Sequence, residues 1–192
     1  MDAAKIVSKI SKEHGIIKNV YFLACGGSLV DLYPGYYFVR AESAVMDAQW
    51  IPAREFALTP PKKLGKDSLL IICSHSGKTK ECLEAAKVGI NAGAAVVTMT
   101  HAPGSPCDCE EWISVVYDWA PGVKEAQKPQ GIVLGILNEL MKAQEPGYTL
   151  YSSIKEGFEK IDDIIAEAVK KQQNSAWLFA EKYSEEPNLY IM

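Results

Sequence analysis

The sequence lacks several things that would have directed the reading elsewhere. Nowhere in its 192 residues is there a run of about 18 apolar residues, so a membrane-spanning helix is not expected. It has no basic excess: 20 Lys and Arg against 24 Asp and Glu leave a net charge of −4, which argues against a nucleic-acid surface. The start, Met1-Asp2-Ala3-Ala4-Lys5, has no basic cluster leading into a continuous apolar core, so no secretory leader is expected. Cysteine is sparse and odd in number, at five. Cys25 and Cys73 sit in strongly apolar stretches and read as buried thiols, which points to a reducing, cytoplasmic compartment. Cys107-Asp108-Cys109 lacks the two-residue gap of a zinc pair and has no second pair nearby, so it reads as a loop, and no metal is expected.

What is present is an ordinary globular composition, 48% hydrophobic and 23% charged. A chain of this length can bury roughly 70% of its unfolded surface, so it needs no disulfide or metal to hold it. Apolar residues at Ala3, Ile6, Val7 and Ile10 predict a helix from Asp2 to His14, stopped by Gly15. Short apolar runs predict strands at 20–24, 44–50, 68–73, 95–100 and 112–117. Helices are predicted between them at 29–40, 52–56 and 78–93, and after the last strand at 129–143. This alternation predicts an α/β fold with a parallel sheet covered on both faces. In such folds ligands sit beyond the carboxyl ends of the strands, where strand order reverses. Residues 151–182 form a long amphipathic stretch with Ile154, Phe158, Ile161, Ile164, Ile165, Ala168 and Val169 at helical spacing. This predicts a helix packed on its own domain or on a partner. Residues 187–192 read as the start of another strand.

The strongest chemical signal is Ser74-His75-Ser76-Gly77-Lys78-Thr79, lying between an apolar strand and a helix. Such a turn gathers free backbone N–H groups at the positive end of a helix, and Ser74, Ser76 and Thr79 add hydroxyl donors. The pattern suits an anion, above all a phosphate, and Gly77 allows the tight turn. The plainer alternative is an N-cap at Ser76. His75 is placed to donate to a phosphate or to stand in solvent, whereas His14 and His101 read as surface residues. Cys25-Gly26-Gly27-Ser28 repeats the arrangement after the first strand. It is not a dinucleotide fingerprint, having no third glycine at the required spacing. Nor is 77–79 the end of a Walker loop, because Ile72 stands where a glycine is needed.

These segments resemble the sugar isomerase (SIS) domain family, and within it the N-terminal half of fructosamine-6-phosphate deglycases. The resemblance is carried by 20–28 with Tyr33-Pro34, by Arg40-Ala41-Glu42-Ser43, by 68–79 and by Tyr117-Asp118-Trp119. It implies a three-layer, flavodoxin-like α/β/α sandwich with a five-stranded parallel sheet and a long C-terminal helix. The implied organisation is an SIS domain at 1–150, a linking helix at 151–186 and, at 187–192, the first strand of a second SIS domain that is otherwise missing. It implies that Gly27, Ser28, Ser74, His75, Ser76 and Thr79 hold the phosphorylated end of a sugar, with Gly26 and Gln127 as further candidate contacts. The segment 125–130 departs from the pattern of the related synthase by lacking Ala-Ser-Thr. The catalytic residues are expected in the missing second domain, no cofactor is expected, and the partners implied are a phosphorylated sugar or sugar-amine and further copies of the chain. A ketose/aldose phosphosugar isomerase remains an alternative. So does a sugar-phosphate sensor, although only about fifteen residues precede the first strand, too few for a helix-turn-helix domain.

Overall fold

The computed structural model describes residues 2–188. Five strands form one all-parallel sheet: β1 (Asn19–Ala24), β2 (Asp47–Pro52), β3 (Ser68–Cys73), β4 (Ala95–Thr100) and β5 (Ile113–Val116), in the order β2-β1-β3-β4-β5. β1, β3 and β4 are buried at every position, which is why they read as continuous apolar runs rather than alternating ones. Val20, Phe22, Leu69, Ile71, Val97 and Met99 point to one face, beneath α1 (Ala3–His14), α3 (Tyr33–Glu42) and α6 (Pro129–Gln144). Tyr21, Leu23, Leu70, Ile72 and Val96 point to the other, beneath α4 (Ala53–Leu58) and α5 (Lys80–Asn91). The three-layer α/β/α sandwich expected from the sequence is therefore present.

Several boundaries differ from expectation for local reasons. The predicted helix 29–40 is two helices, α2 (Gly27–Asp31) and α3, meeting at Leu32. Pro34, near the start of α3, has no N–H with which to continue the first helix. The second strand begins at Asp47 rather than Ala44. Residues 43–46 are committed elsewhere: the Ser43 hydroxyl accepts the N–H groups of Val45 and Met46, and the buried Glu145 carboxylate takes the Ser43 hydroxyl at 2.6 Å and the Ala44 N–H at 2.9 Å. The helix expected from Lys78 starts at Lys80, after an extended Thr79.

The amphipathic stretch is one 33-residue helix, α7 (Tyr151–Tyr183). Ile154, Phe158 and Ile161 are half-buried, and Asp162 accepts the Glu125 N–H at 3.0 Å. Beyond Asp162 the helix projects away from the domain, leaving Val169 63% and Trp177 70% exposed. Only its first third packs as expected. Pro187 and Asn188 are in no strand, and the rest of the strand predicted at 187–192 lies outside the described residues. No helix among the described residues is long and apolar enough to cross a membrane.

Helix α3 reaches the sheet through Gly35, where an added Cβ would collide with Val133 Cγ1 and lie 2.9 Å from Phe22 Cε1. Gly35→Ala is expected to destabilise the fold by about 1–3 kcal/mol through overpacking. Chemical denaturation of the variant beside the parent chain checks this.

Candidate functional site

Strand order reverses between β1 and β3, and the turns that follow these two strands flank the crevice at their carboxyl ends. The first turn is Cys25–Ser28, where Gly26 takes φ +58°. The second is Ser74–Thr79, where Gly77 takes φ +65°. Gly77 is needed for a second reason as well. A Cβ there would overlap Ser105 Oγ, and would lie 2.5 Å from Ser105 Cβ and 2.7 Å from Thr100 Oγ1.

The second turn is sewn to the chain leaving β4. The His75 carbonyl accepts the His101 N–H at 3.1 Å and the Thr100 hydroxyl at 3.3 Å; the Gly77 carbonyl accepts the Cys107 N–H at 3.0 Å. In a trans peptide the C=O and the following N–H point opposite ways. Pinning the His75 carbonyl toward β4 therefore turns the Ser76 N–H away from it. Among the described residues, the N–H groups of His75, Ser76 and Thr79 donate to no protein acceptor, and neither do those of Gly27 and Ser28. The buried Ser74 hydroxyl lies 2.8 Å from the Thr79 hydroxyl, and the Ser76 hydroxyl accepts the Lys78 N–H at 3.3 Å. Thr79 rather than Ser76 is the N-cap of α5, and its hydroxyl caps nothing. Ser105 Oγ is buried beside Gly77 without a partner.

His101, expected at the surface, is half-buried and stacks on His75, with centroids 4.9 Å apart and planes 15° apart. Its Nδ1 lies 3.1 Å from the Tyr117 carbonyl. The Tyr117 hydroxyl is 3.0 Å from His75 Nδ1 and 4.0 Å from Cys73 Sγ, and Trp119 forms a T-shaped pair with His75. Sequence reasoning missed this cluster because its members come from three separate strand ends, and only the register of β3, β4 and β5 brings them together.

Asp31, at the end of α2, accepts from Gln130 Nε2 at 2.7 Å. Burial pushes its carboxyl up, and the His75 side chain works against that. Gln127 is exposed on a 3-10 turn (Glu125–Gln127). It lines a cavity of about 540 Å³ with Ala3, Tyr117, Asp118, Ile132 and Phe158, adjoining the His75 cluster through Tyr117. Cys25 is half-buried rather than buried. The 107–109 loop is structural: the Cys107 carbonyl accepts from Thr98 Oγ1 and Trp112 Nε1, and Asp108 takes the Gly104 N–H and the Ser114 hydroxyl.

No family model matches the chain. Individual relatives do. A fructosamine deglycase of Bacillus subtilis is 32% identical over 176 residues, which are 92% of this chain and 53% of that protein. Two solved structures provisionally named phosphosugar isomerases superpose over 96% of this chain. The one from Salmonella typhimurium has a TM-score of 0.88 at 33% identity over 56% of its chain. The one from Bacillus subtilis has 0.85 at 30% identity over 58% of its chain. The fold of this chain is the one these two structures share. The chain belongs to the SIS domain family. It spans about half the length of the relatives it matches.

Gly77→Ala is expected to cost about 1–2 kcal/mol for left-handed backbone alone, and more for the overlap with Ser105. A denaturation midpoint shift larger than that of a Gly104→Ala control, which meets open space at similar φ, checks it. The thiols beneath the site give a pH dependence. Burial pushes Cys73 up to about 12 and Cys107 up to about 11, from 9.0. A proton held more tightly in the folded state stabilises it fully below pH 9, and this contribution is lost as pH rises through about 11–12. The midpoint is expected to fall between pH 9 and 11, and Cys73→Ala with Cys107→Ala should flatten that fall.

Proposed function

We propose that the crevice between the two turns binds a phosphorylated sugar. The observation that carries this reading is the set of undonated N–H groups of His75, Ser76 and Thr79 at the start of the 12-residue helix α5. Together with the helix dipole these make a preformed anion site, and the hydroxyls of Ser74, Ser76 and Thr79 complete it. Gly27 and Ser28 close the crevice from the β1 side, and Gly26 provides the bend that brings them there. Gln127 belongs to the neighbouring cavity and is the weakest member of the set.

The chain serves, in this reading, as the phosphosugar-binding half of a fructosamine-6-phosphate deglycase. The support is the deglycase relative, matched over nearly the whole of this chain. The organisation is an SIS domain at 1–150 followed by a linking helix at 151–186. The full enzyme would convert a fructosamine 6-phosphate to glucose 6-phosphate and an amino acid. Proton transfer beside the carbonyl gives an imine, which water then hydrolyses; these are steps for a general acid and base. Holding the phosphate here supplies binding energy remote from carbons 1 and 2, which positions them for that chemistry. The names of the two solved relatives favour a second reading, a ketose/aldose phosphosugar isomerase, which would use the same anchor.

Titration calorimetry with glucose 6-phosphate, fructose 6-phosphate and a fructosamine 6-phosphate, against unphosphorylated glucose, separates these readings. Binding is expected to require the phosphate, and preference for the fructosamine favours the deglycase. Ser76→Ala with Thr79→Ala should weaken binding by about 1–3 kcal/mol per lost charge-assisted bond, and because the buried Ser74 hydroxyl loses its Thr79 partner it should also lower stability, by about 1–3 kcal/mol. Equal affinity for glucose and its phosphate would reject the site.

A further inference from the structure

Tyr117 lies outside both turns, yet its hydroxyl is the partner of the His75 ring. Its position implies an ordered chain of donors. The Cys73 thiol at the buried end of β3 is wholly inaccessible, and it lies 4.0 Å from Tyr117 Oη. Burial pushes that thiol up, so it stays S–H, a donor with Tyr117 and Ser28 as its side-chain hydrogen-bond neighbours. Burial, reinforced by Cys73, likewise drives the Tyr117 phenol above its usual range, so it keeps its proton. The phenol oxygen can accept from Cys73 while its O–H donates to His75 Nδ1 at 3.0 Å. A neutral imidazole that accepts at Nδ1 carries its proton on Nε2.

The ring stacked on it is set the other way. His101 Nδ1 faces the Tyr117 carbonyl, which can only accept, so His101 carries its proton on Nδ1. Tyr117 thus addresses both rings, one through its side chain and one through its backbone. His101 in turn stacks on His75, and Trp119 meets the same ring in a T-shaped pair with centroids 5.7 Å apart.

We propose that Tyr117 and His101 are positioning residues for the anion site: Tyr117 holds His75 in its Nε2–H form, and the His101 stack holds that ring beside the Ser74–Thr79 turn as a donor to the bound phosphate. The assignment rests on the anion reading of that turn. A solvent-facing histidine without these partners would present a bare acceptor nitrogen part of the time, which repels a phosphate oxygen. With Tyr117 in place, the hydrogen-bonding character of the site is decided in the core and delivered at the surface.

The test is long-range proton–nitrogen correlation NMR of the nitrogen-15-labelled 192-residue chain, which distinguishes the two neutral tautomers. Three histidines make the spectrum assignable. His75 is expected as the Nε2–H form and His101 as the Nδ1–H form. In Tyr117→Phe the His75 signals should move toward a tautomer mixture, and affinity for glucose 6-phosphate should fall roughly three- to tenfold, the loss of one hydrogen bond. A parent chain with His75 in the Nδ1–H form overturns the proposal even if the variant fails to fold. So does a folded Tyr117→Phe that keeps both the tautomer and the affinity. If the parent chain ignores phosphorylated ligands while His75 is in the Nε2–H form, it is the anion reading that has failed. The donor role falls with it, and the Tyr117–His75 contact stands as a structural feature alone.

Discussion

The carboxyl edge of the sheet depends on one close approach, that of the β3–α5 turn to the chain leaving β4. Gly77 has room for Ser105 only because it lacks a Cβ, and the neighbouring carbonyls are tied down by His101, Thr100 and Cys107. The His75 carbonyl, pinned inward, aims the Ser76 N–H outward. That donor is therefore fixed by bonds made on the far side of the turn. A ligand does not have to organise it, and such preorganisation is what lets weak individual donors act together.

Under this polar rim lies an apolar base. β1, β3 and β4 are covered on both faces, and polar side chains appear where the strands stop: Ser74 after Cys73, His101 after Thr100, Tyr117 after Val116. The parallel arrangement brings these three strand ends to one edge. The low polarity beneath them strengthens each hydrogen bond and keeps thiol and phenol protonated. On the proposed reading, anion binding at the rim and burial in the core are in this sense one design.

Much of this was legible in the sequence, and the reasons differ by element. β3 and β4 were read to the residue because a strand buried on both faces is a continuous apolar run bounded by polar residues. β2 was misplaced because it is an edge strand, mostly exposed, with no such run, and its true start is set by Glu145, 101 positions from Ala44 along the chain. The Ser74–Thr79 turn was legible because its chemistry is contiguous. The His75–His101–Tyr117–Trp119 cluster was not, since its members are spread over 45 residues and only strand register unites them. In α7 the spacing gave the helix from Tyr151 but not its packing: apolar periodicity is the same whether a face is covered, as at Phe158, or open, as at Val169.

The donors of the crevice are almost all neutral, and this bears on what such a site discriminates. A cluster of lysines attracts any anion from a distance, with little regard to shape. Backbone N–H groups and hydroxyls act only at contact and along set directions, so they select a tetrahedral group of the right size at the right place. The Asp31 carboxylate nearby is held by Gln130 and feels the His75 side chain, and on the proposed reading it adds repulsion for an anion seated off-centre. A phosphate held this closely would carry the rest of its sugar in a defined direction. Rigidity of that kind matters most if the bonds to be broken lie several ångströms away, because a small error in the anchor is then magnified at the far end of the ligand.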